Sequence, residues 1–257
     1  MKKTHLIILS LFLTSAIIIT ATVITYKALT VPKSKKYVVE TIEANSKGYI
    51  KVGIISDAQL PQEEKNLYGW DYATVMNGAD HLIKALKYYK SQNVDMIVFN
   101  GDMVNATGDY AAYSAYNKIL DYVYGEDRAE APHIIYPMGN HEFYGGNQEH
   151  NFYKSTGLPL NTRTIVNGYS FISISNSKLE KGDEELAESN DTLADGTYNE
   201  KRIEFLKEQL AAANTEDPNK PIFVFIHMPI SNIVNGGHWA TPQLSLIHIS
   251  EPTRLRC

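Results

Sequence analysis

The sequence predicts an α/β fold built on parallel strands, and three features predict it. Short β-branched runs alternate with stretches whose apolar residues recur at helical spacing. That alternation implies parallel pairing with right-handed crossovers. Four of the runs end in groups able to bind a ligand: Asp57-Ala58-Gln59, Gly101-Asp102, Gly139-Asn140-His141-Glu142 and His227. Parallel strands bring their C-terminal ends together, and in open α/β sheets that is where ligands bind. With 257 residues and 44% hydrophobic content, the chain can form one large domain with a substantial core.

Taken in order, Tyr49–Ser56 reads as the first strand of the domain, followed by a loop to about Tyr72. A helix is expected over Ala73–Ser91, where Val75, Ala79, Leu82, Ile83, Leu86 and Tyr89 make one apolar face. Val94–Phe99 is the next strand, Tyr110–Tyr124 the next helix, and His133–Met138 the strand before the Gly-Asn-His-Glu turn. Beyond that turn, Glu149–Thr156 suits a short helix. Thr162–Val166 and Tyr169–Ser175 read as a hairpin joined by Asn167-Gly168, a pair favoured in tight turns. The acidic stretch Lys178–Asp195 reads as a solvated excursion, Glu200–Ala213 as a helix, and Pro221–Ile226 as a buried strand ending at His227.

Both ends stand apart from this domain, which is expected to span residues 49–243. Residues 1–30 hold an uncharged apolar run, Leu6 to Tyr26, behind Lys2 and Lys3. At about 1.5 Å per residue such a run crosses a hydrocarbon core of roughly 30 Å. It outlasts the apolar region of a cleaved signal, so it is read as a membrane anchor, with cleavage near Thr14-Ser15-Ala16 as the alternative. The lysines after it argue for a cytoplasmic domain, whereas the N-terminal lysine pair follows the export pattern; an extracellular domain is expected. Residues 31–48, polar and lysine-rich, read as a linker. At the other end, Leu244–Arg254 reproduces in order the translation of a transposase-type sequencing adapter. Residues 244–257, including the only cysteine, Cys257, are therefore expected to be non-native. The net charge of −5 leaves no basic footprint for nucleic acid, and no protein partner can be inferred.

Taken singly, each strand-end group has an ordinary reading. An aspartate there caps helices or forms turns, an asparagine forms turns, and a lone histidine is usually a hydrogen-bonded core residue. Together they suit divalent cations. Carboxylates and carboxamides are hard oxygen donors, and imidazole brings in Mn²⁺, Fe or Zn²⁺ in preference to Mg²⁺ or Ca²⁺. Two such ions bridged by a carboxylate such as Asp102 would stabilise attacking and leaving oxygens in phosphoryl displacement and acidify a water. His141 would protonate the leaving oxygen or stabilise phosphoryl charge, with Glu142 steering its ring.

These residues resemble the motifs of the calcineurin-like metallophosphoesterases, which read Asp-x-His, Gly-Asp, Gly-Asn-His-Asp/Glu, a lone His and Gly-His-x-His. The resemblance covers Tyr49 to Pro229, and Gly139–Glu142 is its most specific match. It implies a four-layer α/β sandwich with two central sheets and a dinuclear site hydrolysing a phosphate mono- or diester. By position, Asp57 and Gln59 would hold the first ion, Asp102 would bridge, Asn140 and His227 would hold the second, and His141 would lie beside the phosphate. Two departures stand out. Gln59 occupies a position where many members have histidine, and its harder carbonyl shifts the preference towards Mn²⁺ or Fe²⁺. No Gly-His-x-His occurs: Gly237-His238-Trp239-Ala240 lacks the second histidine. The missing motif is expected where the adapter begins, which would leave this chain inactive. A binding module without catalysis is the competing reading. A single-zinc hydrolase is disfavoured by the absence of His-Glu-x-x-His and of metal-ligating cysteines. The substrate is expected to be a small-molecule or lipid phosphate ester. The loops Leu60–Asp71 and Lys178–Asp195 would shape the entrance, where Tyr68, Trp70 or Trp239 could stack on it or simply pack.

Overall fold

The computed structural model describes residues 36–45, 48–60, 72–105, 110–143, 148–176 and 198–228. The chain divides into two units, 1–34 and 35–257, and the described residues all belong to the second. The expected anchor, the entrance loops beyond Leu60, the Gly237–Ala240 stretch and the tail from Leu244 lie outside them. Among the described residues, no helix is long and apolar enough to cross a membrane.

The described elements run β1 (Tyr37–Ile42), β2 (Val52–Ile55), α1 (Tyr72–Gln92), β3 (Met96–Phe99), α2 (Tyr110–Tyr124), β4 (His133–Ile135), α3 (Gln148–Thr156), β5 (Asn161–Val166), β6 (Tyr169–Ile174), α4 (Glu200–Glu216) and β7 (Ile222–Phe225). They form a mixed α/β fold. One sheet has the order β2-β3-β4, the other β1-β5-β6-β7. β2, β3 and β4 pair in parallel, as strand–helix alternation requires, with Val52 opposite Met96 and Met96 opposite His133. β5 and β6 form the expected antiparallel hairpin, with Asn167 and Gly168 both at positive φ, 50° and 76°. Those dihedral signs suit the right-handed twist of two strands joined by a two-residue turn.

Two expectations are corrected. The segment read as a linker, 31–48, contains β1, which pairs in parallel with β5 from Tyr37↔Asn161 to Ile42↔Val166. Its Tyr-Val-Val-Glu-Thr-Ile sequence is β-branched and alternates in burial. The lysines just before it obscured that signal, and the long-range partner decides it. Asn161 secures its start, both N–H and Nδ2 donating to the Lys36 carbonyl at 2.9 Å. β7, in turn, was expected to be buried. Instead Phe223 and Val224 are 42% and 40% exposed, because among the described strands β7 pairs only with β6 and stands at the sheet edge.

Three apolar cores hold the described layers together. On β3, Ile97 and Phe99 face the helices and pack with Leu82 and Leu86 of α1 and Tyr113, Tyr116 and Leu120 of α2. The alternate residues Met96 and Val98 meet Val166 and Phe171 of the second sheet. On β6, Ile172 and Ile174 face away from that interface and pack with Phe205 and Leu206 of α4. The order helices, sheet, sheet, helix thus follows from the two-residue period of the strands. Aromatic rings tie the first core together: Phe99 lies 5.4 Å from Tyr116, and Tyr136 lies 5.0 Å from Phe152. Each fully buried ring contributes roughly 1.5–3 kcal/mol by its removal from water.

Candidate metal centre

The loops after β2 and β3 are laced together by main-chain hydrogen bonds. Asp57 N–H donates to the Gly101 carbonyl at 3.1 Å, Gln59 N–H to that of Asp102 at 3.0 Å, and Leu60 N–H to that of Met103 at 2.9 Å. This places Asp57 and Gln59 directly beside Asp102. Asp57, Gln59 and Asp102 all have positive φ, at 58°, 48° and 53°. Aspartate tolerates that region better than most residues, whereas glutamine gains no such local compensation. Backbone held this way, costing of order 1 kcal/mol or more per residue, is concentrated at functional sites.

Close approaches by glycine complete the frame. A Cβ at Gly139 would lie 2.2 Å from Asp102 Oδ1, and one at Gly101 would lie 2.6 Å from the His227 ring. A third glycine, Gly78 in α1, lets the helix meet the Ala58 carbonyl, which a Cβ would approach to 2.1 Å. The turn that starts the Gly-Asn-His-Glu motif therefore lies against Asp102, and His227 lies against the Gly101 loop.

Among the described residues, Asp57, Asp102 and His227 each offer a ligand atom, all within 4.8 Å of one another. Asp57 is exposed, His227 intermediate and Asp102 buried, so among the described residues the cluster is most open to solvent at Asp57. Gln59 Nε2 donates to Asp102 Oδ2 at 3.2 Å. Its Oε1 is buried with no hydrogen-bond partner among the described residues, a costly state for an amide oxygen unless a cation meets it. The donor set therefore fits a divalent cation. Asn140 lies in the turn next to Gly139, and its carbonyl accepts from Phe143 N–H at 3.0 Å.

His141 donates its main-chain N–H to Asp102 Oδ1 at 2.9 Å, while its ring Nε2 stays 3.8 Å from Oδ2. Burial lowers its pKa, against the opposing charges of Asp102 and Asp57. His227 differs. Burial lowers its pKa too, but the Asp102 carboxylate 3.1 Å from Nε2, by hydrogen bond and charge, raises it to about 9 overall, helped by the Asn100 carbonyl. One histidine is thus biased towards neutrality and the other towards the proton.

Glu142 does not steer the His141 ring. Fully buried, it accepts main-chain N–H groups from Asp102 at 2.9 Å, Met103 at 2.8 Å and Gly139 at 2.7 Å, with Val104 farther off at 3.4 Å. The Tyr136 hydroxyl adds a fifth contact at 2.8 Å. A short helical turn, His141–Phe143, aims the carboxylate back beneath the loop. Desolvation and then the Asp102 charge push its pKa up to about 7, against donors that favour the ionised form. Its role is to latch the Asp102 loop to the Gly139 turn from below.

Sequence reasoning missed three supporting residues. Asn100 bonds the strand end that carries His227, with Nδ2 donating to the Ile226 carbonyl at 3.0 Å. The Tyr198 hydroxyl accepts from Met228 N–H at 3.1 Å, one residue beyond His227. Gly78 carried a signal that was available: a glycine inside a helix costs about 1 kcal/mol relative to alanine, so its presence wants a reason. Asn100 and Tyr198 carried none, since their partners are distant in sequence.

A model of the calcineurin-like phosphoesterase family matches residues 50–251. Its last residues overlap the stretch from Leu244. No curated protein matches the chain. Among solved structures, a dimetal phosphatase from Danio rerio resembles it with a TM-score of 0.56 at 16% identity, over 76% of this chain and 74% of that one. At that identity the likeness speaks to the fold alone.

Proposed function

Because this chain belongs to the calcineurin-like phosphoesterases, we propose that its fold is that of a metal-dependent hydrolase of phosphate mono- or diesters, acting at a dinuclear site. The observation that carries this reading is the convergence of Asp57, Asp102 and His227 with the unsatisfied Oε1 of Gln59. Asp57 and Gln59 would hold one ion, Asn140 and His227 the other, with Asp102 between them. Two oxygen-rich positions favour Mn²⁺ or Fe²⁺, with Zn²⁺ the third candidate. When bound, the ions would supply positive charge at the phosphoryl oxygens and acidify a water.

The protein's own groups have distinct tasks. His141, biased towards the neutral ring by burial, would donate a ring N–H to a phosphoryl oxygen; acting as a general acid would need the charged ring, which burial disfavours. Asp102 orients His141 through the main-chain bond, and Glu142 holds Asp102 in place. The open side at Asp57 is where an ester would enter. Small-molecule and lipid phosphate esters remain the expected substrates, and residues 1–30 would tether the domain outside the membrane.

The motif Gly-His-x-His does not occur in this sequence. Hydrolysis is therefore expected of a chain in which that motif is restored, and Mn²⁺ binding without turnover of the sequence as it stands. In the restored chain, Asp102→Asn should abolish Mn²⁺-dependent hydrolysis of a chromogenic phosphodiester. Retained activity would sink the dinuclear proposal. Tight Mn²⁺ binding without turnover in the restored chain would instead support the binding-module reading, for which Gln59 in place of histidine is the specific observation.

A further inference from the structure

His227 follows β7, in the four-stranded sheet, whereas Asp57, Gln59, Asp102 and Asn140 follow strands of the three-stranded sheet. Whatever holds His227 in the cluster must cross between sheets. Asn100 makes that crossing twice. Its main-chain carbonyl lies 2.9 Å from His227 Nδ1, and its carboxamide Nδ2 donates to the Ile226 carbonyl at 3.0 Å. It is itself fixed at the end of β3 by its N–H, which donates to the Ile55 carbonyl of β2 at 2.7 Å. The neighbouring Gly101 leaves room for the ring, since a Cβ there would stand 2.6 Å from it.

The acceptor decides how the imidazole is oriented. A carbonyl oxygen can only accept, so Nδ1 keeps a hydrogen, and Nε2 is the nitrogen turned towards Asp102 Oδ2, 3.1 Å away, where an ion would take the place of its proton. Metal-ligating histidines are commonly fixed in this way through the ring nitrogen that does not bind the ion. The carboxamide acts on the main chain that carries the ring. Its Oδ1 is buried and has no partner among the described residues, so its described contact is the one made by Nδ2.

We propose that Asn100 is a positioning residue for His227: its carbonyl holds the ring by Nδ1 and its side chain pins the strand end, so that Nε2 faces the metal cluster. The proposal rests on the metal-centre reading given above. It assigns a task to a side chain outside the ligand set and explains why an amide stands there. An aspartate would set a carboxylate oxygen against the Ile226 carbonyl, and a leucine of similar size would donate nothing.

The test uses the full chain labelled with ¹⁵N at histidine, with the His227 ring followed by NMR and Mn²⁺ affinity by titration calorimetry. The wild type should show a slowly exchanging, hydrogen-bonded Nδ1–H on His227. In Asn100→Leu and Asn100→Asp that proton should exchange at least about tenfold faster, and Mn²⁺ affinity should fall about 10- to 100-fold. A wild-type ring protonated on Nε2 alone would overturn the proposal, even if neither variant folds. So would variants that keep a protected Nδ1–H and an affinity within about twofold. A wild type with the expected Nδ1–H but no Mn²⁺ binding would remove the metal reading while supporting the orientation of the ring.

Discussion

Gly78→Ala sets two effects of opposite sign against each other. Alanine is the better helix former, and Gly78 lies within α1, so propensity alone predicts about 1 kcal/mol of stabilisation. Yet the added Cβ would lie 2.1 Å from the Ala58 carbonyl oxygen. Reaching even 3.0 Å requires about 0.9 Å of movement, and the obstacle is backbone, which cannot swing aside as a side chain can. Overpacking of this kind costs about 1–3 kcal/mol. The net loss of stability should therefore be small, about 0–2 kcal/mol. Ala58 is flanked by Asp57 and Gln59, so the same displacement moves two ligand candidates. Misplacement by about 1 Å can cost around 100-fold in a positioned site. Urea unfolding and Mn²⁺ titration, read side by side, should show a modest shift in midpoint with a loss of affinity of that order. A variant that is more stable and binds Mn²⁺ as tightly as the wild type would refute the claim that α1 constrains the ligand loop.

Two further outcomes follow from the buried polar network and from an ion pair at the surface. Glu142→Gln replaces an acceptor oxygen with an N–H₂ group amid five donors, so at least two lose their partner; the expected loss is about 2–4 kcal/mol in urea unfolding, and full stability would contradict the latch. Glu216, held by the buried Arg163 guanidinium with one bond at 3.0 Å, has its pKa lowered from the ordinary 4.5, first by that hydrogen bond. A depressed carboxylate adds stability above its unfolded pKa and loses it as pH falls through the folded value, so Glu216→Gln should flatten the decline in melting temperature below about pH 4.5. An unchanged acid limb would show the pair to be energetically idle.

What could be read from the sequence follows the range of the interactions concerned. Helix α1 and the Asn167-Gly168 hairpin were legible because spacing and turn chemistry are local. The gathering of Asp57, Asp102 and Asn140 at one sheet edge was legible too, since β2, β3 and β4 pair in parallel and so align the ends that carry them. β1 was not, because its identity depends on Asn161–Val166, more than a hundred residues away. Glu142 shows the limit at a single residue. Its place beside His141 suggested a partner for the ring, whereas the turn directs its carboxylate to amides at 102 and 103. Sequence adjacency names the residues at a site but not the direction in which they point.

The division of the site between two sheets has a consequence for what counts as part of it. His227 follows β7 by two residues, and Phe225 at the end of β7 packs against Phe171, ring to ring at 6.4 Å, within the core between the sheets. Met96 and Val98 enter that core from β3, the strand that leads to Asp102. Separation of the His227 and Asp102 loops is thus set partly by the thickness of apolar packing between β3 and β7. Protein interiors are close-packed and yield little, so a lost or added methylene there is felt by its neighbours. The hydrogen bonds of Asn100 then determine how the ring is turned at a separation the core has already set. Packing supplies the distance and the polar contacts supply the orientation, and the 3.1 Å approach of His227 to Asp102 needs both.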